Sequence, residues 1–264
     1  MEDLDRARTV PDSADEILHT LEVFGLLWDD RVEYQSRRAH FYAEALETLR
    51  AGRHTFECSC SRREIAENEA PGAEHPATPA GGTAQPYPGT CREGPRRRGD
   101  TATRFRIDEH ETLVFDDRFQ GKIALAMGRL GDVIVRRRDG IFAYQLAVVV
   151  DDALQGITDV VRGADLLEST GWQIALQRAL RQPTPRYAHL PLLLEPTGEK
   201  LAKSRRSAAL DADHAGTQLL SVLRLLGLAP PEELAGATPA TLLQWAIGRW
   251  RALSLPLPRE VMLP

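Results

Sequence analysis

The cysteines of this chain all lie in one Pro- and Gly-rich stretch, TFECSCSRREIAENEAPGAEHPATPAGGTAQPYPGTC, which spans residues 55–91. Cys58 and Cys60 are one residue apart, and Cys91 follows Tyr87 at the spacing Y-x-x-x-C. Thiolates bind zinc, and structural zinc sites use four donors in a tetrahedron. Ligation would also supply folding free energy that so few apolar residues cannot supply by burial. The stretch therefore predicts a zinc site, with three idle or buried thiols as the alternative.

A fourth ligand for this site should come from the same region. Tyr87 stands four residues before Cys91, and His75 and His54 are the nearby histidines. A phenol keeps its proton up to a pH of about 10, which disfavours it as a ligand, although the charge of a zinc ion can lower that pKa. The residues alone leave these three donors open.

A second set of candidates lies near the ends of predicted strands. Tyr144 opens the segment that continues into the apolar run Leu146–Val150, and Arg162 closes the segment ITDVVRG. The planar fork of an arginine can bind a carboxylate through two parallel hydrogen bonds. The alternatives are that Tyr144 borders the core and that Arg162 forms a salt bridge with a nearby aspartate. The nearby aspartates are Asp151, Asp152 and Asp165.

Two lysines lie in the polar segment TGEKLAKSRR, residues 197–206, just after a predicted buried strand. Lys200 and Lys203 are three residues apart. Lysines at the end of a strand in an α/β sheet can reach the phosphates of a ligand bound in the crevice there. As an isolated pattern, the segment is more typical of a solvated basic loop.

The composition is that of a globular protein, with 264 residues, 42% of them hydrophobic and 27% charged. A net charge of −5 excludes a general attraction to nucleic acid. The arginine runs 96–98, 136–138 and 205–206 are therefore either solvated faces or local phosphate-contacting surfaces. No apolar window is long enough to span a membrane, and the acidic N-terminus is not a secretory signal. We expect a cytoplasmic protein and, by default, a monomer.

The elements that would position these residues alternate between helices and strands, which favours an α/β sheet. The apolar run Leu146–Val150 is typical of a strand covered on both faces of a parallel sheet. The predicted helices span residues 12–30, 34–52, 164–182, 218–228 and 238–253. The predicted strands lie in residues 101–108, 112–117, 131–138, 141–150, 157–163 and 187–196.

The segment YQLAVVVDDALQGITDVVRGADLLEST, together with KLAKS, closely resembles the catalytic core of class I glutamyl-tRNA synthetases. The CSC…YPGTC segment and the short helical tail make the chain similar to a truncated group of that family, the glutamyl-queuosine tRNA(Asp) synthetases. The resemblance covers nearly the whole chain up to about Ser207. It implies a Rossmann-like α/β catalytic core over residues 1–54 and 111–207, a zinc-binding insertion over 55–110 and a helical C-terminal subdomain over 208–264.

This resemblance also implies an activity and its residues. The group adenylates glutamate with ATP, accompanied by magnesium, and transfers it to the queuosine base in the anticodon of tRNA(Asp). The implied zinc ligands are Cys58, Cys60, Tyr87 and Cys91. The implied glutamate-binding residues are Glu2, Tyr144 and Arg162. Lys200 and Lys203 are implied to bind ATP, with Lys203 as the catalytic lysine; Ala202 stands where the family usually has serine.

The family's first strand, its RFAPSPTG-like loop and its HIGH-type motif are not found ahead of MEDLDRAR. We therefore expect an N-terminally incomplete core, as from a start codon assigned too late, which would adenylate glutamate inefficiently. Two alternatives remain. One is a fragment of an ordinary glutamyl-tRNA synthetase, and the other is a non-catalytic, zinc-containing relative that binds tRNA.

Overall fold

The computed structural model describes residues 1–5, 7, 9–67, 86–196, 198, 210–250 and 257–262. Its helices are α1 (Ser13–Val23), α2 (Ala39–Ala51), α3 (Arg62–Glu67), α4 (Met127–Leu130), α5 (Tyr144–Leu154), α6 (Ser169–Ala179), α7 (Ala215–Leu225) and α8 (Pro239–Trp250). Its strands are β1 (Thr55–Cys58), β2 (Ala102–Phe105), β3 (Thr112–Asp117), β4 (Gly121–Ala126), β5 (Val133–Arg136), β6 (Asp159–Gly163), β7 (Arg186–Leu190), β8 (Leu192–Leu194) and β9 (Glu260–Met262).

A mixed sheet with the strand order β4-β3-β7-β6 carries Arg162, one of the three predicted glutamate-binding residues. Strands β3 and β4 form an antiparallel hairpin, whereas β7 runs parallel to both β3 and β6. The mixed α/β class is confirmed, although the sheet is not wholly parallel as predicted. The parallel pairing matters for the site because it places Arg162 of β6 directly beside His189 of β7.

A second sheet, antiparallel and ordered β1-β2-β5, supports the cysteine stretch. Cys58 ends β1, where it pairs with Ala102 of β2. Strand β5 comes from the predicted core, whereas β1 and β2 come from the predicted insertion. The cysteine stretch is therefore joined to the core by backbone hydrogen bonds of a sheet as well as by the chain itself.

The strand predicted around Leu146–Val150 is wrong, because these residues belong to helix α5. The helix packs against α2, α6 and β5, so its neighbours cover most of its circumference. Such an apolar run looks the same in a buried helix and in a buried strand, and the strand preference of valine is weak enough for packing to override it. Tyr144 therefore lies in the first turn of a helix and not at the end of a strand.

The other predicted elements lie close to their observed positions. Helices α1, α2, α6 and α8 fall inside predicted helical segments, and β2, β3, β5 and β6 fall inside predicted strands. Helix α7 begins three residues before its predicted segment, and β7 begins one residue before its predicted strand. Phe24, just after α1, packs with α7 and α8 in a separate cluster whose members include Leu219, Leu223 and Leu242. Among the described residues, no helix has the length and apolar character needed to cross a membrane.

Candidate functional site

The three cysteines converge on one point, as their spacing predicts. Their sulfur atoms all lie within 4.8 Å of one another. The Sγ atoms of Cys60 and Cys91 are 3.5 Å apart. Cys58 and Cys91 are buried, and Cys60 is half-buried. The end of β1 and the turn that follows supply two of the thiols, and a turn just over thirty residues later in the sequence supplies the third.

Tyr87 completes this group. Its phenol oxygen lies 3.4 Å from Sγ of Cys58 and 3.6 Å from Sγ of Cys60. The same oxygen accepts a hydrogen bond from the backbone N–H of Cys91 at 2.7 Å. Of the other two fourth-ligand candidates, His54 faces the ring of Phe105, and His75 lies outside the described residues.

The chemistry of these donors suits a thiophilic divalent cation. Burial raises the pKa of both Tyr87 and Cys60. Burial acts in the same direction on Cys91, but hydrogen bonds from Tyr87 and from the backbone of Ser59 and Arg96 outweigh it and lower the pKa of this thiol to about 6. A bound cation stabilises thiolate and phenolate alike, and three sulfurs with one oxygen can form a tetrahedral shell. The cluster could therefore hold a metal ion.

Two of the arginine runs flank this cluster. The backbone N–H of Arg97 donates to the hydroxyl of Ser59 at 3.2 Å, and its guanidinium pairs with Glu64. The guanidinium of Arg138 donates to the backbone carbonyl of Cys60. The runs 96–98 and 136–138 are thus brought to the same part of the molecule. The third run, Arg205 and Arg206, lies outside the described residues.

The predicted glutamate-binding residues form a second group. Burial and the nearby Glu2 carboxylate raise the pKa of Tyr144, and the positive charge of Arg162 opposes that rise. Burial also raises the pKa of Glu2, against the attraction of the N-terminal ammonium group and of Arg162. These mutual effects place Glu2, Tyr144 and Arg162 within interacting distance of one another.

Asp152 belongs to the same group, although the sequence suggested for it only a salt bridge with Arg162 or a helix cap. Burial raises its pKa to about 6, against the attraction of Arg162 and with the help of Asp151 and Glu2. Its neighbour Asp151 has a different role, because it accepts hydrogen bonds from Arg38 at 2.7 Å and from Tyr42 at 2.8 Å. Asp151 therefore ties α5 to α2, while Asp152 faces Arg162.

A cavity of about 830 Å³ adjoins this group on the side of Glu2 and Asp152. Tyr144 and Arg162 are not part of its lining. Lys200 and Lys203, the predicted ATP-binding residues, lie outside the described residues.

Arg162 is held by residues that the sequence did not single out. Its Nε donates to Nε2 of His189 at 3.0 Å, and its Nη2 donates to Oγ1 of Thr170 at 2.7 Å. His189 in turn lies 2.6 Å, Nδ1 to Oδ2, from Asp117. The available signal was a histidine in the otherwise apolar segment YAHLPLLL, but its partners depend on the pairing of β6, β7 and β3.

A model of the family of class I tRNA synthetases (E and Q), catalytic domain, matches residues 1–238. The chain belongs to this family. It is 47% identical over 262 residues to the Glutamyl-Q tRNA(Asp) synthetase of Ectopseudomonas mendocina (strain ymp), a match covering 99% of this chain and 84% of that protein. It is 49% identical over 266 residues to the protein of the same name from Dechloromonas aromatica (strain RCB), covering 100% and 86%.

Solved structures of class I synthetases resemble the chain as well. A glutamate tRNA ligase from Elizabethkingia meningosepticum CCUG26117, in complex with its amino acid, superposes with a TM-score of 0.64 and 26% sequence identity. The match covers 77% of this chain and 44% of that one, so the chain spans less than half of that longer protein. The family recognised from the segment around Tyr144 and Arg162 is thus confirmed.

Proposed function

We propose that this protein activates glutamate with ATP and transfers it to the queuosine base of tRNA(Asp). The names of its relatives support this function, since proteins called Glutamyl-Q tRNA(Asp) synthetase match nearly the whole chain at 43–49% identity. The observation in the structure that carries it is the group formed by Glu2, Tyr144, Asp152 and Arg162. This group offers a cation for a carboxylate and two carboxylates for an ammonium, which are the charges of an amino-acid substrate.

In the activation step, a carboxylate oxygen of glutamate attacks the α-phosphorus of ATP, and the bond to pyrophosphate breaks. We assign Arg162 and Tyr144 to a glutamate carboxylate and Glu2 to the ammonium. Lys200 and Lys203 are assigned to the ATP phosphates, with Lys203 stabilising the charge that builds up as pyrophosphate leaves. In the second step, a nucleophile of the queuosine base displaces AMP from the activated glutamate. Magnesium accompanies ATP.

The cysteine cluster is proposed to bind one structural zinc ion through Cys58, Cys60, Cys91 and Tyr87. When bound, zinc supplies folding free energy to residues 55–110, which we propose as a zinc-binding insertion in a Rossmann-like core made of residues 1–54 and 111–207. Residues 208–264 form the proposed helical C-terminal subdomain. We keep the expectations of a cytoplasmic location and of a monomer. Light scattering of the purified protein tests whether it is a monomer.

The test uses the full-length protein encoded by the gene. Glutamate-dependent exchange of pyrophosphate into ATP should be measurable, and labelled glutamate should be transferred to queuosine-containing tRNA(Asp). The matched control is the same tRNA(Asp) without queuosine, which should accept no glutamate.

Two results support the competing functions. Transfer of glutamate to unmodified tRNA(Glu) would favour an ordinary glutamyl-tRNA synthetase, a possibility raised by the similarity to solved glutamate tRNA ligases. Binding of tRNA without any pyrophosphate exchange would favour a non-catalytic relative.

A further inference from the structure

Arg162 is the first member of a chain of three side chains that crosses the mixed sheet. Its Nε donates to Nε2 of His189 at 3.0 Å, and Nδ1 of His189 lies 2.6 Å from Oδ2 of Asp117. The three residues come from neighbouring strands, because β7 lies between β6 and β3. The side chains of His189 and Asp117 are fully buried. Water therefore does not compete for the hydrogen bond between His189 and Asp117.

The partners of His189 determine which of its ring nitrogens carries the proton. An arginine has no acceptor atom, so Nε2 must be unprotonated to accept from Arg162. Nδ1 then carries the proton and donates it to Asp117. Oγ1 of Thr170 lies 3.2 Å from the same Nε2, and its hydroxyl can donate there too. Burial lowers the pKa of His189, which keeps the ring neutral, as this arrangement requires.

Asp117 is itself held in one orientation. Its Oδ1 accepts backbone N–H bonds from Phe119 at 3.0 Å, Gln120 at 2.9 Å and His189 at 3.1 Å. Oδ2 is left for the imidazole. One oxygen therefore closes the turn after β3, while the other selects the tautomer of His189.

The remaining bonds of Arg162 act on the same guanidinium. Nη2 donates to Oγ1 of Thr170 at 2.7 Å and to the carbonyl of Leu166 at 3.4 Å. Bonds at Nε and Nη2 together fix the plane of the guanidinium. Nη1 of Arg162 takes part in none of these three hydrogen bonds. A donor that is already oriented loses less conformational entropy when it binds a carboxylate, so it binds more tightly.

We propose that Asp117 and His189 are positioning residues that hold the guanidinium of Arg162 in the orientation needed to bind glutamate. The proposal rests on the proposed function, since it takes glutamate as the ligand of Arg162. Asp117 acts by placing the proton of His189 on Nδ1, and His189 acts by offering Nε2 to Arg162.

The substitution Asp117→Asn tests this mechanism with almost no change of shape. Three backbone N–H groups face Oδ1, so the amide oxygen must stay there and the NH2 group must face Nδ1 of His189. Nδ1 then has to accept, and the proton moves to Nε2. Nε2 of His189 then carries a hydrogen that points at the Nε–H of Arg162. Two donors cannot bond to each other, so the hydrogen bond between these side chains is lost.

Two measurements on the full-length protein follow this change. Nitrogen-15 spectra of the histidine rings, assigned with His189→Gln, should show the proton on Nδ1 in the wild type and on Nε2 in Asp117→Asn. Pyrophosphate exchange should show a KM for glutamate raised by about tenfold to a hundredfold, as expected for a lost hydrogen bond to a charged group. The KM for ATP should change by less than about twofold.

The matched control is Asp159→Asn on the same sheet. Asp159 is exposed and pairs with the guanidinium of Arg186 at 2.7 Å. This control should leave both the tautomer and the KM for glutamate unchanged. If Asp117→Asn does not fold, Thr170→Val takes its place, because it removes the acceptor for Nη2 and should also raise the KM for glutamate.

The proposal is overturned if the tautomer switches while the KM for glutamate stays the same, or if His189 carries its proton on Nε2 in the wild type. If the wild type shows no pyrophosphate exchange, the proposed function is contradicted. The spectra alone then test whether Asp117 and His189 position the guanidinium of Arg162. In that case the proposal requires that the hydrogen of Nε of Arg162 exchanges with solvent faster in Asp117→Asn than in the wild type. Equal hydrogen-exchange rates would contradict the proposal.

Discussion

The cysteine cluster and the group around Arg162 are built in opposite ways. Cys58, Cys60, Tyr87 and Cys91 lie within 34 positions of the chain, and their side chains need only two turns to converge. Arg162 depends on partners from β3, β7 and α6, which meet only when the mixed sheet has formed. The first region depends on local chain geometry, and the second depends on sheet register. A change in one should therefore leave the other intact, and the following experiments test that independence.

The largest effect is expected from Arg162→Ala. We expect the value of kcat/KM for glutamate to fall by about a hundredfold to ten-thousandfold, because the carboxylate loses two charged hydrogen bonds, each worth about 1.5–3 kcal/mol. Arg162→Lys should recover only part of the loss, since lysine keeps the charge but not the fork. Pyrophosphate exchange measures the loss, and elemental analysis should show the same metal content as in the wild type.

Removing two thiols tests the converse, namely whether a change in the cysteine cluster leaves the group around Arg162 intact. The double change Cys58→Ser and Cys91→Ser should reduce bound zinc from about one ion per chain to none, because two of the four donors become poor zinc ligands. Elemental analysis gives the metal content, and circular dichroism reports the thermal stability, which should fall.

The exposed change Ser221→Ala serves as the control and should keep both properties. If the metal is lost and the KM for glutamate rises more than about threefold, the two regions are coupled and the comparison is wrong.

A smaller effect is expected from Tyr144→Phe. The phenol oxygen would no longer bond to a substrate carboxylate, so the KM for glutamate should rise by about tenfold. Tyr34→Phe is the matched control, because the ring of Tyr34 contacts the guanidinium of Arg37 and not the group around Arg162. Steady-state exchange at varied glutamate concentration measures both, and equal KM values for the two variants would remove Tyr144 from the site.

The smallest effect concerns the pH dependence of stability. The pKa of Asp152 is raised from its ordinary value of 3.8 to about 6 in the folded protein. A raised carboxyl pKa means that the folded state binds a proton more tightly than the unfolded state does. The stabilising contribution is therefore complete below about pH 4 and is lost as the pH rises through about 6.

Asp152→Asn should remove this dependence. The difference in free energy of unfolding between the variant and the wild type, measured by urea titration, should increase in favour of the variant between pH 4 and pH 7. A difference that does not vary with pH would show that Asp152 does not titrate in this range. Taking the difference cancels the opposite dependence expected from Asp117, whose pKa is lowered in the folded protein despite its burial.

The misassigned helix shows where reasoning from the sequence reaches its limit. Leu146–Val150 is apolar at every position, so neither the period of a helix nor that of a strand can be read from it. In α1 and α2, by contrast, polar residues interrupt the apolar ones at helical spacing, and both helices were predicted. Tyr144 was recognised through its sequence context even though its element was wrong.

The sequence by itself determined the family, the sites of most helices and strands, and the convergence of three thiols, because each of these depends on residues near one another in the chain. Only the tertiary structure decided that Asp152 lies near Arg162 and that the guanidinium of Arg162 bonds to His189, which in turn bonds to Asp117. These contacts join residues that are ten to more than seventy positions apart in the chain. Their geometry depends on strand pairing and burial, which no local pattern of residues specifies.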